Sequence, residues 1–353
     1  MKKHLPAIVL GVAVFAISLI FQKYTLMHEG MWSLFLLTPD YFRESMTLPL
    51  PLTRVASDFL VQFFDIAAVG PVITAMLVVC IYLVGGSMLL ACAGWVFTAC
   101  SSSPQPLLLA LLIAVLLRIV LKAVRVKLDG RARIARYALV AAAAIAIILI
   151  PKVRKTEILS SLELNARQAG WEKVLDKATP SRCLEDDSLR PYAALALASE
   201  GELVKSLGLY HFNKAQDLDM EGVLSREGYY FSSLMYEALA CPNEAVHRIF
   251  QAGCHCDHGC SFMVLYQLIR YNIERGDYTM VRKYAGILSR SPRHRRLARM
   301  TLATYGNLPD ECGQINASPI TNNPIFNIPM LWQQGLQNDF SSELFQAYMS
   351  LSR

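Results

Sequence analysis

One short segment of the sequence concentrates side chains that bind metal ions. Within seven residues it holds three cysteines, two histidines, an aspartate and a glycine: Cys254, His255, Cys256, Asp257, His258, Gly259 and Cys260. Thiolate and imidazole groups bind zinc with tetrahedral geometry. A loop that turns at Gly259 would let Cys254, Cys256, Cys260 and His258 face a common point. One interpretation of the segment is therefore a zinc site made by these four residues.

Two other interpretations of the cysteines stay open. The segment lacks the two separated CxxC pairs that are typical of structural zinc sites. The region after Pro151 has an even number of cysteines, which permits disulfide bonds in an oxidising compartment; these are Cys183, Cys241, Cys254, Cys256, Cys260 and Cys312. They could also be unpaired structural thiols. The sequence thus predicts no cofactor, with zinc as the alternative.

A second segment concentrates arginines and is predicted to begin a helix after Pro292. The candidate residues for binding an anion or a partner are Arg293, Arg295, Arg296 and Arg299. Clustered guanidinium groups bind phosphate, lipid headgroups or acidic proteins. The alternative is a solvated helix face whose arginines pair with acidic residues of neighbouring helices.

Signatures of enzymes do not occur in the sequence. It contains no GxSxG, no phosphate-binding loop with Gly-Lys-Ser/Thr, no HExxH and no GxGxxG after a strand. We therefore predict no catalytic residues and favour binding over catalysis. The formal net charge of +6 is confined mainly to Lys122–Arg136 and Arg290–Arg299, which argues against a general nucleic-acid binder.

The organisation of the whole chain is indicated by an uncharged run of 52 residues, Ile66–Leu117. About 20 apolar residues span a bilayer as a helix, so this run can hold more than one crossing. The sequence predicts an all-α protein with a transmembrane helix bundle in residues 1–151 and a soluble helical domain in residues 152–353. The predicted spans are residues 5–22, 66–84, 87–104, 107–121 and 137–150.

Charge favours five spans over four. The loop Lys122–Arg136 contains six basic residues against one acidic residue, and short loops of this kind collect on the cytoplasmic side. Lys2 and Lys3 favour the same side for the N terminus. An even number of crossings must then separate the N terminus from the loop, and the soluble domain lies outside. Four spans would place that domain in the cytoplasm.

The soluble region is predicted to consist of helical hairpins. Apolar residues recur at spacings of three and four on both sides of turns at positions 170, 201, 242 and 276. These turns are about 35 residues apart on average, close to the period of tetratricopeptide units. An irregular helical bundle is the alternative.

The same region resembles a known family. The segments that carry the resemblance are Gly170–Leu175, Tyr192–Ala198, Gly228–Tyr230, Asn243–Ala245 and Gly276–Tyr278. They are similar to the motif series of an uncharacterised family of bacterial multi-span membrane proteins with a tetratricopeptide-like region. The resemblance covers most of residues 155–300 and implies no known activity. Members of that family usually have more membrane segments and a longer helical tail.

Together these features predict a membrane-anchored helical-repeat protein of the bacterial inner membrane with a periplasmic soluble domain. Stacked hairpins offer concave surface, so we expect an interaction module that binds a protein or peptide partner at the cell envelope. The expected partners are the lipid bilayer and a protein or peptide, and no nucleic acid. The alternative is a component of an envelope enzyme or transport system for a lipid or glycan, with a metal or disulfide site.

Overall fold

The computed structural model describes residues 4–101, 103–123, 133–220, 225–311, 324–335 and 337–352. Every regular element in these ranges is a helix, and no strand occurs among them. The all-helical fold class predicted from the sequence is therefore confirmed. The chain forms two compact units, Met1–Ser160 and Ser161–Arg353.

The division between the units falls later than the predicted boundary at Pro151, inside a helix that starts there. The first half of this helix belongs to the first unit, where the carboxylate of Glu157 accepts hydrogen bonds from Tyr24 and Thr25. Proline at the first helical position has its backbone angle already set for a helix. Pro151 therefore begins a helix that belongs partly to each unit.

In its described residues the first unit contains eight complete helices and the start of a ninth. In chain order they are α1 (Leu5–Phe21), α2 (Lys23–Trp32), α3 (Pro39–Ser45), α4 (Pro51–Val61), α5 (Val69–Gly85), α6 (Met88–Ser101), α7 (Gln105–Ala123), α8 (Arg133–Leu149) and α9 (Pro151–Arg167). Each of the five predicted spans coincides with one apolar helix, namely α1, α5, α6, α7 or α8.

The apolar helices pack at close range where glycines allow it. A Cβ atom on Gly85 of α5 would lie 3.0 Å from the Cβ of Ala114 in α7, and one on Gly94 of α6 would lie 3.3 Å from the Cβ of Ala110. Small residues let helix backbones approach in this way. Helix α5 ends at Gly85 and is followed by the C-cap residue Gly86, whose φ of +68° suits glycine.

The direction of the helices follows from their contacts. Gly11 of α1 lies against Val79 of α5, whereas Gly70 at the start of α5 lies against Leu26, which follows α1. These two helices are therefore antiparallel. At the C-terminal end of α5, Tyr82 accepts a hydrogen bond from Arg136 near the start of α8. The start of α1, the end of α5 and the start of α8 thus lie at one end of the bundle.

Large apolar side chains cover much of the outside of this bundle. On α1, α5, α6, α7 and α8 the most exposed of these side chains, each at least 60%, are Ile8, Val12, Ile20, Met76, Leu89, Phe97, Ile119 and Leu149. The helices have 17, 17, 14, 19 and 17 residues. In the described ranges no single helix is long and apolar enough for a full bilayer crossing. Two pairs of consecutive helices meet the requirement together but are bent where they join. These are α1 with α2, bent by 78°, and the Ala135–Leu149 part of α8 with α9, bent by 57°.

An aromatic cluster joins the segment after α2 to the short helices α3 and α4. Phe35 makes edge-to-face contacts with Tyr41, Phe42 and Phe59. The Tyr41 hydroxyl donates a hydrogen bond of 2.7 Å to Asp58, so the one acidic residue of α4 has a partner. Edge-to-face aromatic pairs add stability beyond the area that they bury.

The part of the second unit that the structure describes contains eleven further helices. They are α10 (Trp171–Lys177), α11 (Pro180–Glu185), α12 (Arg190–Ser199), α13 (Leu203–Ser206), α14 (Arg226–Ala238), α15 (Pro242–Cys254), α16 (Phe262–Glu274), α17 (Tyr278–Leu288), α18 (Arg295–Tyr305), α19 (Pro324–Gln333) and α20 (Asp339–Leu351). Three short 3-10 helices accompany them: Asp187–Leu189, Ala215–Leu218 and Asp257–Gly259.

Each of the four predicted turns separates two helices, giving the hairpins α9/α10, α12/α13, α14/α15 and α16/α17. Two of the turns place glycine at a left-handed residue, with φ of +72° at Gly201 and +70° at Gly276. The other two place alanine there, with φ of +52° at Ala169 and +56° at Ala240. The second helices of the first two hairpins are short, at 7 and 4 residues. The last two hairpins have helices of 11 to 13 residues.

The last two helices fold back onto the earlier hairpins. The side chain of Asn327 in α19 donates to the Tyr236 hydroxyl at 2.7 Å, and Asn338 donates to the carbonyl oxygen of Ala238 at 3.1 Å. The backbone N–H of Val204 donates to Glu343 of α20 at 3.0 Å. The hairpins and these helices therefore enclose space between them.

Candidate functional site

The cysteine-rich segment lies where α15 ends and a single 3-10 turn follows. Cys254 is the last residue of α15 and is exposed. His258 and Gly259 both adopt left-handed backbone conformations. The thiol of Cys256 points back to the carbonyl oxygen of Ala252, 3.5 Å away, and burial raises its pKa to about 11.

The structure does not bring the predicted zinc ligands together. In the ranges that it describes, no three His, Cys, Asp or Glu side chains form a group that could hold a metal ion. In the described ranges Cys183, Cys241, Cys254, Cys256 and Cys260 form no disulfide bond, while Cys312 lies outside the described residues. The choice between disulfide bonds and unpaired structural thiols stays a prediction.

The predicted arginine segment begins helix α18. Arg295, Arg296 and Arg299 are exposed, and Arg293 is half-buried just before the helix. Arg295 donates weakly to the carbonyl oxygen of Ser289, at 3.4 Å. The exposed arginines form no ion pair within the described part of the chain, so the expected pairing with neighbouring acidic residues is not seen there.

A cavity that sequence reasoning missed lies on the first helices of the hairpins. Its volume is about 360 Å³. We call it the groove. Most of its lining residues come from α9, α12, α14 and α16, and the start of α10, the first turn and α20 contribute one residue each. The lining residues are Ala166, Arg167, Ala169, Trp171, Ser199, Leu234, Glu237, Ala238, Arg270 and Phe340. All four hairpins thus contribute their first helix to one concavity.

Two arginines at the groove are held by aromatic side chains. The guanidinium of Arg270 lies 5.1 Å from the ring centre of Tyr271 and donates to the carboxylate of Glu237. The Arg167 guanidinium lies 5.5 Å from the ring centre of Tyr266. Cations over aromatic faces are stabilised electrostatically. Both positive groups are therefore held in place before any ligand binds.

The carboxylate of Glu237 also accepts a hydrogen bond from the Tyr271 hydroxyl, at 2.9 Å. Burial, followed by the nearby charge of Glu237, raises the pKa of Tyr271 well above its ordinary value. Burial likewise raises the pKa of Glu274 one turn further along α16. Tyr271 consequently stays neutral and acts as a hydrogen-bond donor at physiological pH.

Behind the groove lies a buried polar layer. Glu163 is 2% exposed, and Tyr230 is completely buried. Burial and then the charge of Glu163 raise the pKa of Tyr192 and of Tyr230 far above the ordinary range. Ionisable groups that are shifted in this manner, beside a cavity, mark candidate functional sites.

A second cavity of about 380 Å³ adjoins the first and shares Ser199 with it. Its charged lining residues are all acidic: Glu200, Asp339 and Glu343. The groove with its two arginines and this acidic cavity meet where α20 begins, because Phe340 lines one and Asp339 the other. The groove thus contributes two arginines and Glu237 to the combined surface, and the second cavity contributes only acidic charges.

The sequence carries only a weak signal for the groove. Arg167, Ser199, Glu237 and Arg270 lie three, two, five and six residues before the predicted turns at 170, 201, 242 and 276. Because these offsets differ, comparing equivalent positions of the hairpins does not align the four residues. The contribution of Phe340 has no such local signal, because α20 lies outside the repeats.

The sequence profile of a family of unknown function, DUF6057, matches residues 1–117 and 93–348 of the chain. The chain belongs to this family. The DUF6057 matches cover both units and overlap in residues 93–117. Comparison with curated proteins and comparison with solved structures gave no match.

The groove of this DUF6057 protein is suited to binding. Ser199 is the only hydroxyl-bearing residue in its lining, and its hydroxyl donates to the carbonyl oxygen of Leu195 in the same helix, at 2.8 Å. Neither histidine nor cysteine lines the groove to activate it. Guanidinium, carboxylate and aromatic groups around an apolar floor instead match the chemistry of a peptide-binding surface.

Proposed function

We propose that the protein is a multi-pass protein of the bacterial inner membrane whose tetratricopeptide-like hairpins bind a peptide segment of a partner protein on the periplasmic side. The observation that carries the binding part is the groove, to which the first helices of all four hairpins contribute. Repeat proteins use such concave surfaces for binding. The proposed role is therefore to hold a partner at the membrane.

The apolar exterior of the bundle supports the membrane part. Side chains such as Val12, Met76 and Phe97 are more than 60% exposed, and in water such a surface would associate with other molecules. A hydrocarbon environment removes this cost. The apolar helices are about 21 to 28 Å long at ~1.5 Å per residue, which is shorter than the ~30 Å hydrocarbon core of a bilayer. Local thinning of the bilayer accommodates such a mismatch.

The distribution of charge supports the proposed periplasmic orientation. The start of α1, after Lys2 and Lys3, and the start of α8, after the basic loop, lie at the same end of the bundle, since Gly11 lies against Val79 and Arg136 contacts Tyr82. Five crossings satisfy this arrangement, and the positive-inside rule assigns that end to the cytoplasm. The second unit then begins on the other side.

The orientation can be tested with the native thiol of Cys254, which is exposed. A membrane-impermeant maleimide should label it in intact spheroplasts, and Cys254→Ser should remove that label. Labelling only after the membrane is opened would place the hairpins in the cytoplasm and overturn this part of the proposal.

Binding at the groove can be tested by photo-crosslinking in cells. A benzophenone amino acid in place of Trp171 should give a discrete crosslinked product, and Arg167→Ala should weaken it. The same amino acid in place of Leu209, which is 62% exposed and does not line the groove, is the control. Identical products from both positions would contradict a binding role for the groove.

A further inference from the structure

The segment from Arg290 to Arg299, which includes the start of helix α18, presents an unusual concentration of positive charge to solvent. Arg290, Arg295, Arg296 and Arg299 are all exposed, and none of them forms an ion pair with an acidic residue in the described ranges. We call these four residues the arginine face. Elsewhere in the same unit exposed or partly exposed bases do have acidic partners, for example Lys205 with Glu202 at 2.8 Å and Arg226 with Glu227 at 2.7 Å.

The arginine face is held on a rigid support. The imidazole of His294, which directly precedes α18, is 3% exposed and stacks on Phe262 of α16, with ring centres 3.7 Å apart and ring planes within 6°. Ala298 is completely buried against α17. The guanidiniums therefore project from a backbone that tertiary packing fixes.

The local charge is unfavourable for the helix that carries it. The first turn of α18 contains no acidic residue and its N-cap gives no side-chain hydrogen bond. Two arginines lie there instead, although the N-terminal end of a helix is itself positive. An anion beside this turn would relieve the repulsion among the arginines and with the helix end.

We infer that the arginine face binds the phosphate groups of anionic phospholipids at a bilayer surface. The inference rests on the proposed membrane location, because a domain tethered to a bilayer meets lipid headgroups at a high local concentration. Clusters of four or more basic residues near a membrane bind anionic lipids in this way, and guanidinium groups hold phosphate by two parallel hydrogen bonds.

The surroundings of the arginine face favour lipid over an acidic protein. Met300 lies next to Arg299 on α18 and is 59% exposed, so an apolar side chain stands among the charges. Helices with basic residues and exposed apolar side chains lie in the interface of a bilayer. A tight protein interface would need a buried anchor in a pocket, and no cavity described above is lined by residues of the arginine face.

The test uses the full chain in nanodiscs made either of phosphatidylcholine alone or of phosphatidylcholine mixed with phosphatidylglycerol. A water-soluble dicarbonyl reagent modifies arginines, and mass spectrometry gives the rate at each residue. Arg295, Arg296 and Arg299 should react at least about fivefold more slowly in the anionic discs, the factor expected for one basic residue at a charged bilayer. Arg182, exposed but distant in sequence, should react equally in both.

Two matched variants remove two exposed positive charges each. Arg296→Gln with Arg299→Gln should abolish the protection of Arg295, whereas Lys173→Gln with Lys177→Gln should leave it unchanged. Equal rates in the two kinds of disc would overturn the inference. It would also be overturned if soluble polyglutamate protected the arginines in phosphatidylcholine discs while phosphatidylglycerol in the mixed discs did not protect them. Protection by inorganic phosphate alone would show a free-anion site and would also overturn it.

The two proposals fail in different ways. A chain that does not enter nanodiscs at all contradicts the membrane location and hence the proposed function. A chain that enters both kinds of disc but shows no difference at the arginine face contradicts only the lipid inference.

Discussion

Glu157 of helix α9 caps the N terminus of helix α2 through Thr25. One carboxylate oxygen accepts hydrogen bonds from the backbone N–H and the hydroxyl of Thr25, both at 2.8 Å, and the other accepts from the N–H of Tyr24 at 2.9 Å. The first N–H groups of a helix have no partner within it, and negative charge is favourable there. A residue more than 130 positions away thus completes the N terminus of the helix that follows α1.

We expect Glu157→Ala to destabilise the first unit by about 1–3 kcal/mol, because it removes a charged cap and leaves backbone donors without a partner. The unfolding temperature of the detergent-solubilised protein can be followed with a thiol-reactive dye, since Cys92 in α6 is 3% exposed. Glu172→Ala, at an exposed position of α10, is the control. Equal unfolding temperatures for the two variants would show that the cap does not contribute.

Gly30 of helix α2 is a position where the packing of the first unit leaves no room for a side chain. A Cβ atom there would lie 2.6 Å from the backbone nitrogen of Asp65 and 2.8 Å from the carbonyl carbon of Phe64. Backbone atoms cannot move aside cheaply, so Gly30→Ala should cost about 1–3 kcal/mol. Gly208→Ala, where no atom lies within 4 Å of the added carbon, should cause no loss. The same dye assay measures both, and similar losses would contradict the packing argument.

Periodicity of apolar residues predicted the helices well but not their partners. Observed helices flank each predicted turn, at 170, 201, 242 and 276, and coincide with the five predicted spans. This agreement is possible because a helix or a hairpin is encoded by neighbouring residues. The return of α20 depends on contacts such as that of Asn338 with Ala238, 100 residues apart. No local pattern records such a contact, so the groove stayed hidden.

The cysteine segment shows the opposite limitation. Its residue types and spacing suit zinc, but side-chain direction depends on backbone conformation. The left-handed residues His258 and Gly259 and the turn of Cys256 toward Ala252 decide where the thiols point. Spacing alone does not contain this information.

The hydrogen bond from Tyr271 to Glu237 should contribute to the stability of the second unit. Tyr271→Phe removes the hydroxyl and leaves the Glu237 carboxylate with one partner fewer, so we expect a loss of about 1–2 kcal/mol. Tyr278→Phe, whose ring stacks on Tyr305, should cost less than about 0.5 kcal/mol. Reaction of the buried thiols of Cys183 and Cys241 with the dye reports unfolding of this unit. A loss for Tyr278→Phe as large as that for Tyr271→Phe would contradict the expectation.

His294 should make the second unit sensitive to acid. Burial, followed by the charge of Arg293, lowers the pKa of His294 from 6.5 to about 3 in the folded protein. Between these two values the unfolded chain binds a proton that the folded chain does not, so the free energy of unfolding decreases as the pH falls from 6.5 toward 3. Above pH 6.5 the residue is neutral in both states and has no effect on the pH dependence.

His294→Phe keeps a ring that can stack on Phe262 but cannot be protonated. We expect its stability to fall less steeply than that of the wild type below pH 6.5, by at most about 1.4 kcal/mol per pH unit. Urea unfolding at a series of pH values measures this slope. His247→Phe is the control, since His247 is 55% exposed beside Glu244. Parallel profiles for His294→Phe and the wild type would mean that His294 does not titrate differently in the folded and unfolded states.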